Sequence, residues 1–203
     1  PNVAALIVNH LIISYSPKLS FMLTMSHPLD NIPLLPHVSI MDYDVIIAGG
    51  GLTGITLALA LGQSGLRTAI IDKKNPLVKT NDSFDGRSYA IAAASQKMLN
   101  VLGLWDDLAK NAQPMVGIKV SDGYAGEVPS PFVMQFDQKD FTEGPMGYMV
   151  EDQNLRRVLQ GALKYSEVTF KSNTEVLSQT VQPTQVAVEL TSGATITAAV
   201  LVG

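Results

Sequence analysis

Between residues 43 and 72 three apolar runs follow one another with little polar interruption: YDVIIA, LTGITLALALGQ and TAIID. The first and third are short and rich in β-branched residues, which predicts strands over 43–48 and 68–72. The middle run is long enough for a helix, placed at 52–64. Further on, Leu155, Val158, Leu159 and Leu163 form an i, i+3, i+4, i+8 stripe, which predicts a helix over 152–164. The Ala-rich segment SYAIAAASQKMLN predicts a helix over 88–100, and a short one follows Gly103 at 104–111. Strands are expected at 116–121, 132–136, 146–150, 166–170, 174–181, 184–190 and 194–202. Asn75-Pro76 and Asp85-Gly86 punctuate a polar stretch over 73–87, and Gly123, Gly126, Pro129 and Pro131 lie between two of the strands.

The junction of the first strand and helix carries chemistry. Gly49, Gly51 and Gly54 are spaced as G-x-G-x-x-G, and the second strand ends on Asp72. A bare glycine triplet is a weak signal, but strand, helix and terminal acid all stand where a dinucleotide fingerprint needs them. Gly49 permits the tight turn, Gly51 lets the backbone approach a pyrophosphate, and Gly54 lets helix and strand pack closely. The amides of Leu52, Thr53 and Gly54 open the helix, lack intrahelical partners and point at the phosphates. Asp72 is placed to accept the hydroxyl protons of a ribose. An ordinary βαβ unit with glycines in its turn is the competing reading.

Composition narrows the classes. The chain has 203 residues, 46% apolar and 16% charged, with net charge −4. That suffices for one α/β domain with a sizeable core, and with no cluster of Lys and Arg it argues against a nucleic-acid partner. No cysteine is present, so disulfides, thiolate metal sites and dithiol redox chemistry are excluded within this stretch. His10, His27 and His37 make no ligand spacing, so no metal site is expected. Residues 1–40 hold four of the eleven prolines and an interrupted apolar run too short to span a bilayer. They are expected to be a disordered extension, with Met41 as the natural start. The closing run AAVLVG reads as a buried strand, so the chain is expected to be the amino-terminal part of a longer protein.

The long segment between the second strand and AAVLVG mixes helices with antiparallel-looking strands. A nicotinamide-binding domain would place its third parallel strand sooner. Insertions of this kind suit two-domain flavoproteins of the glutathione-reductase type. The fold class expected is therefore α/β, a Rossmann-like FAD-binding domain over 41–203, with part of a mixed-sheet substrate domain at about 115–150.

Four stretches resemble the flavin-dependent aromatic hydroxylases, and among them the ubiquinone-biosynthesis hydroxylases: DYDVIIAGGGLTGITLALAL, FDGRSYAIAAASQKMLNVLGLW, GYMVEDQNLRRVL and ITAAVLVG. The most specific is Asp85-Gly86-Arg87 before an Ala/Ser-rich segment ending in Leu102-Gly103-Leu104-Trp105. The resemblance covers Met41 to Gly203. It implies an FAD-dependent monooxygenase that uses NAD(P)H and O2, through a flavin hydroperoxide, to hydroxylate a polyprenylated phenol. It implies a cytoplasmic protein, with peripheral contact at the inner membrane or a place in a quinone-biosynthesis complex. No catalytic residue can be named from this stretch.

By the same resemblance Arg87 sits against the FAD pyrophosphate, whose oxygens suit a planar guanidinium. Asp152 departs from the family, which uses Gln, Asn or Arg there; a carboxylate is unfavourable beside phosphates and is given no cofactor role. Gln153 and Arg156 are read as exposed helix residues before substitutes for that cofactor contact. Trp105 is expected to anchor the core. Met115, Met134, Met146 and Met149 are read as core packing before a lipid-binding role. Three rivals stay open: a hydroxylase of a small soluble aromatic, a flavin halogenase, and a truncated, non-catalytic FAD-binding fragment. A flavin disulfide reductase or an NADH dehydrogenase is a further rival, of which the reductase would need a cysteine pair that the chain lacks.

Overall fold

The computed structural model describes residues 41–75, 86–123, 132–140 and 144–203. The chain divides into two units, Pro1–Ser39 and Ile40–Gly203, of which the second is described. The first, and the extension expected there, lies outside the described residues, as do Asp85, Gly126, Pro129 and Pro131.

The second unit begins with β1 (Tyr43–Ala48), α1 (Leu52–Gln63) and β2 (Thr68–Ile71), close to the expected bounds. Next come β3 (Ser88–Ala92), α2 (Ala93–Val101), α3 (Trp105–Ala109), β4 (Gln113–Pro114), β5 (Gly117–Ser121) and β6 (Val133–Asp137). A 3-10 turn at Gln138–Asp140 precedes β7 (Gly147–Glu151), α4 (Asp152–Lys164), β8 (Thr169–Lys171), β9 (Val176–Val181), β10 (Val186–Leu190) and β11 (Thr195–Val202).

Six strands form the main sheet in the order β8-β2-β1-β11-β10-β9. The four from β8 to β11 are mutually parallel, and β10 and β9 add antiparallel at one edge. Central strands of this kind are covered on both faces and read as unbroken apolar runs. Val45 and Ile47 of β1 and Ile70 of β2 join a core with α1 to α4, while Ile46, Ala69 and Ile71 pack with Val186, Val188, Leu190, Ile196 and Ala198. The stripe on α4 (Leu155, Val158, Leu159 and Leu163) is buried in the first of these cores. Burying each such side chain contributes about 1.5–3 kcal/mol.

Two expectations need correction. Residues 88–92 are strand, not the start of a helix: they pair antiparallel with β7, Ser88 opposite Glu151 and Ala92 opposite Gly147. Alanine favours helix, yet Tyr89 and Ile91 alternate at the strand period, and a waiting edge outweighs that propensity. The strand expected at 166–170 is displaced to β8 because the chain after α4 first turns at Ser166, whose hydroxyl donates to Leu163 O at 2.8 Å. β8 is also the next parallel strand beyond β2; AAVLVG joins β1 on its other side.

β5 and β6 form a separate two-stranded sheet. Its register, Ile118 opposite Phe136 and Val120 opposite Met134, gathers apolar residues on one face and leaves Lys119 and Gln135 on the other. Val120 and Met134 are exposed. No helix among the described residues is long and apolar enough to cross a membrane.

Candidate cofactor site

β1 delivers the chain to Gly49, whose φ of +120° is closed to other residues and whose N–H donates to Ile71 O at 2.9 Å. A Cβ on Gly54 would lie 2.0 Å from Gly49 O, so α1 rests directly on the turn and no larger residue fits. Gly51 caps α1 without a side-chain hydrogen bond, and no acidic residue stands in the first turn. The first intrahelical bond of α1 runs from Ile55 N–H to Gly51 O at 3.0 Å. The amides of Leu52, Thr53 and Gly54 therefore have no helical partner. A Cβ at Gly51 would meet nothing within 4 Å, so open space lies before them.

Asp72 closes the loop from the far side. Its Oδ2 accepts the Gly50 N–H at 2.6 Å and its Oδ1 the Lys74 N–H at 2.6 Å. Asp72 is itself fixed, its N–H donating to Lys171 O at 3.0 Å. Each carboxylate oxygen keeps a second lone pair, enough for a ribose hydroxyl. Gly50 was missed at the level of sequence: a Cβ there would lie 2.8 Å from the Phe170 ring and 3.2 Å from Asp72 Oδ2. The unbroken Gly49-Gly50-Gly51 run was the available signal. Gly49, Gly51, Leu52, Thr53, Gly54 and Asp72 are thus brought together. Uncapped amides, a helix dipole, an open approach and a carboxylate beyond the phosphates fit an adenine dinucleotide.

Arg87 belongs to a second cluster, at the joint of β3 and α4. Its carbonyl accepts the Asp152 N–H at 3.0 Å, and its guanidinium Nη2 lies 3.4 Å from Asp152 Oδ2. Asp152 is only 3% exposed. Its carboxylate also accepts Tyr89 Oη–H at 3.1 Å and Arg156 Nε–H at 2.6 Å. Burial pushes this carboxyl up; the bonds from Arg156 and Tyr89 and the charges of Arg156 and Arg87 outweigh it and hold it below the ordinary aspartate value. Arg156 is not the exposed residue expected: it is half-buried on this carboxylate. Gln153, also half-buried, donates to Glu151 Oε2 at 2.6 Å.

A cavity of about 660 Å³ lies beside α2, β7 and the apolar face of the β5–β6 hairpin. Ile118, Phe136, Met146 and Tyr148 supply its apolar walls, and Gln96, Lys97 and Asp140 its polar ones. Tyr148 meets Trp105 edge-on with centroids 4.8 Å apart, and Trp105 is a core anchor as expected. Met146 lines the cavity, whereas Met134 and Met149 are exposed rather than packed in the core. No group of His, Cys, Asp or Glu among the described residues could hold a metal.

Comparison with known proteins places this geometry. Residues 42–203 match the model of a family described as FAD binding domain. Ubiquinone hydroxylase UbiL of Rhodospirillum rubrum is 43% identical over 116 residues, 57% of this chain and 26% of that protein. The 3-demethoxyubiquinol 3-hydroxylase of Escherichia coli is 33% identical over 131 residues, 63% of this chain and 32% of its own length. The chain therefore spans about a quarter to a third of these relatives. The crystal structure of p-nitrophenol 4-monooxygenase PnpA from Pseudomonas putida DLL-E4 superposes with a TM-score of 0.59 at 22% identity, covering 78% of this chain and 39% of that one, and shares the fold. With the fingerprint loop, its closing carboxylate and a family match across nearly the whole second unit, the chain belongs to the FAD-binding domain family.

Proposed function

We propose that this chain is a portion of an FAD-dependent monooxygenase that hydroxylates a polyprenylated phenol in ubiquinone biosynthesis, consuming NAD(P)H and O2. The observation that carries the reading is the glycine loop held by Asp72, in a chain similar to ubiquinone hydroxylases. Leu52, Thr53 and Gly54 amides would receive the pyrophosphate, with Gly49 and Gly51 giving it access, Asp72 the ribose and Arg87 a further phosphate contact. When bound, FAD would supply the passage of electrons from NAD(P)H and the activation of O2. The protein's part is to hold the cofactor, orient the phenol and exclude water.

The cavity walled by Ile118, Phe136, Met146 and Tyr148 suits an aromatic ring with an apolar tail. The β5–β6 hairpin, within the 115–150 stretch, is accordingly assigned to the substrate-binding part. A lipid substrate favours a cytoplasmic protein in peripheral contact with the inner membrane, or in a complex that passes such substrates along.

Titration of the 203-residue chain with FAD tests the cofactor reading; binding at about 1 µM or tighter is expected, and none at about 100 µM would refute it. The protein including the rest of its polypeptide should then oxidise NAD(P)H faster with a prenylated phenol than with its unprenylated ring. Equal stimulation by both would favour a soluble aromatic substrate.

A further inference from the structure

Asp152 is a buried carboxylate for which the cofactor chemistry has no direct use, and it departs from the residue types expected at its position. Among the described residues its carboxylate meets Arg87, Tyr89 and Arg156. Its N–H donates to the Arg87 carbonyl oxygen at 3.0 Å, and its Oδ2 faces the Arg87 guanidinium at 3.4 Å, so one residue grips both ends of the arginine. The same carboxylate is anchored by Tyr89 and, more closely, by Arg156. It also opens α4, where the helix dipole favours a negative group.

We infer that Asp152 is a positioning residue that holds the Arg87 guanidinium ready for a phosphate of the dinucleotide. The inference rests on the reading of Arg87 as a phosphate ligand. The Arg87 side chain is 57% exposed and long, and the carboxylate of Asp152 narrows the rotamers open to it. Confinement before the ligand arrives removes part of the ordering cost of binding. The distances rank the two arginines. Arg156 at 2.6 Å is the fixed partner, and Arg87 at 3.4 Å is the one that can turn to a phosphate while the carboxylate keeps Arg156 and Tyr89.

The test is a double-mutant cycle on the 203-residue chain, with Asp152→Asn, Arg87→Ala and the pair, reading FAD affinity by fluorescence titration and stability by urea unfolding. Asp152→Asn should weaken FAD binding about ten-fold when Arg87 is present and leave it unchanged in the Arg87→Ala background. A merely structural role would weaken both backgrounds equally, and that result, or no loss at all, overturns the proposal. If Arg87→Ala binds FAD as wild type does, Arg87 is no ligand and the proposal falls with it. If the wild-type chain itself binds no FAD, the cofactor reading fails, and this shows before any variant is made. Should Asp152→Asn not fold, Tyr89→Phe loosens the same carboxylate; a smaller loss of affinity, again only with Arg87 present, supports the proposal, and an equal loss in both backgrounds overturns it.

Discussion

The carboxylate of Asp72 grips the amide of Gly50 at 2.6 Å, tying the end of the second strand across to the loop that leaves the first. A residue expected only to meet a ribose thus also shapes the loop beneath the phosphates. Asp72→Asn should lose both duties in part. We expect FAD affinity to fall roughly ten- to hundred-fold and stability by about 1–2 kcal/mol. Flavin titration and urea unfolding on the same variant would show both; a loss of affinity with unchanged stability would remove the loop-shaping role.

Gly51 and Gly54 should separate cleanly. A methyl at Gly54 would sit 2.0 Å from the Gly49 carbonyl, whereas one at Gly51 meets nothing. Gly54→Ala should therefore cost about 1–3 kcal/mol or more of stability. Gly51→Ala should unfold within about 0.5 kcal/mol of wild type, yet bind FAD poorly because the methyl takes the space of the phosphate. Equal unfolding midpoints for the two would contradict the packing described.

Asp152 predicts an acid sensitivity. Its carboxyl is held below the ordinary aspartate value in the fold, so its contribution is complete at neutral pH and is lost as pH falls through the folded value. Between about pH 5 and pH 2 wild type should lose stability more steeply than Asp152→Asn, whose own deficit at pH 7 should be about 1–3 kcal/mol. Parallel pH curves would show that the pairing with Arg156, Tyr89 and Arg87 does not persist in solution.

Leu159 is 1% exposed in the core beneath α4 and takes no part in either cluster. Leu159→Ala should cost about 2–5 kcal/mol. FAD affinity of the fraction that stays folded should match wild type, measured well below the unfolding temperature. A large selective loss of affinity would mean that the loop depends on this core far more than its own hydrogen bonds imply.

The first half-unit was legible because its evidence is local. Gly49, Gly51, Gly54 and Asp72 lie within one strand, one helix and the next strand, and apolar periodicity marks all three. What escaped depends on distant partners. Ser88 to Ala92 became a strand because β7 lies alongside, 55 or more positions later. The Asp152 cluster joins side chains 63 apart, Tyr89 and Asp152, and no spacing rule connects them. Gly50 was passed over because its constraint is the Phe170 ring, invisible from the motif. The resemblance supplied Arg87 but could not supply its carboxylate partner.

Phe170 sets a schedule as well as a contour. The ring that fills the space beside Gly50 stands 120 positions downstream, on the strand that pairs with β2. β1 gains its other neighbour only when β11 is made. As the chain is made, the loop first leans on Ile71 and Asp72, and it gains the Phe170 ring only when β8 has followed. The full contour of the cofactor loop is then expected to wait for the pairing of β8 with β2, so that folding of this sheet precedes cofactor capture instead of following it.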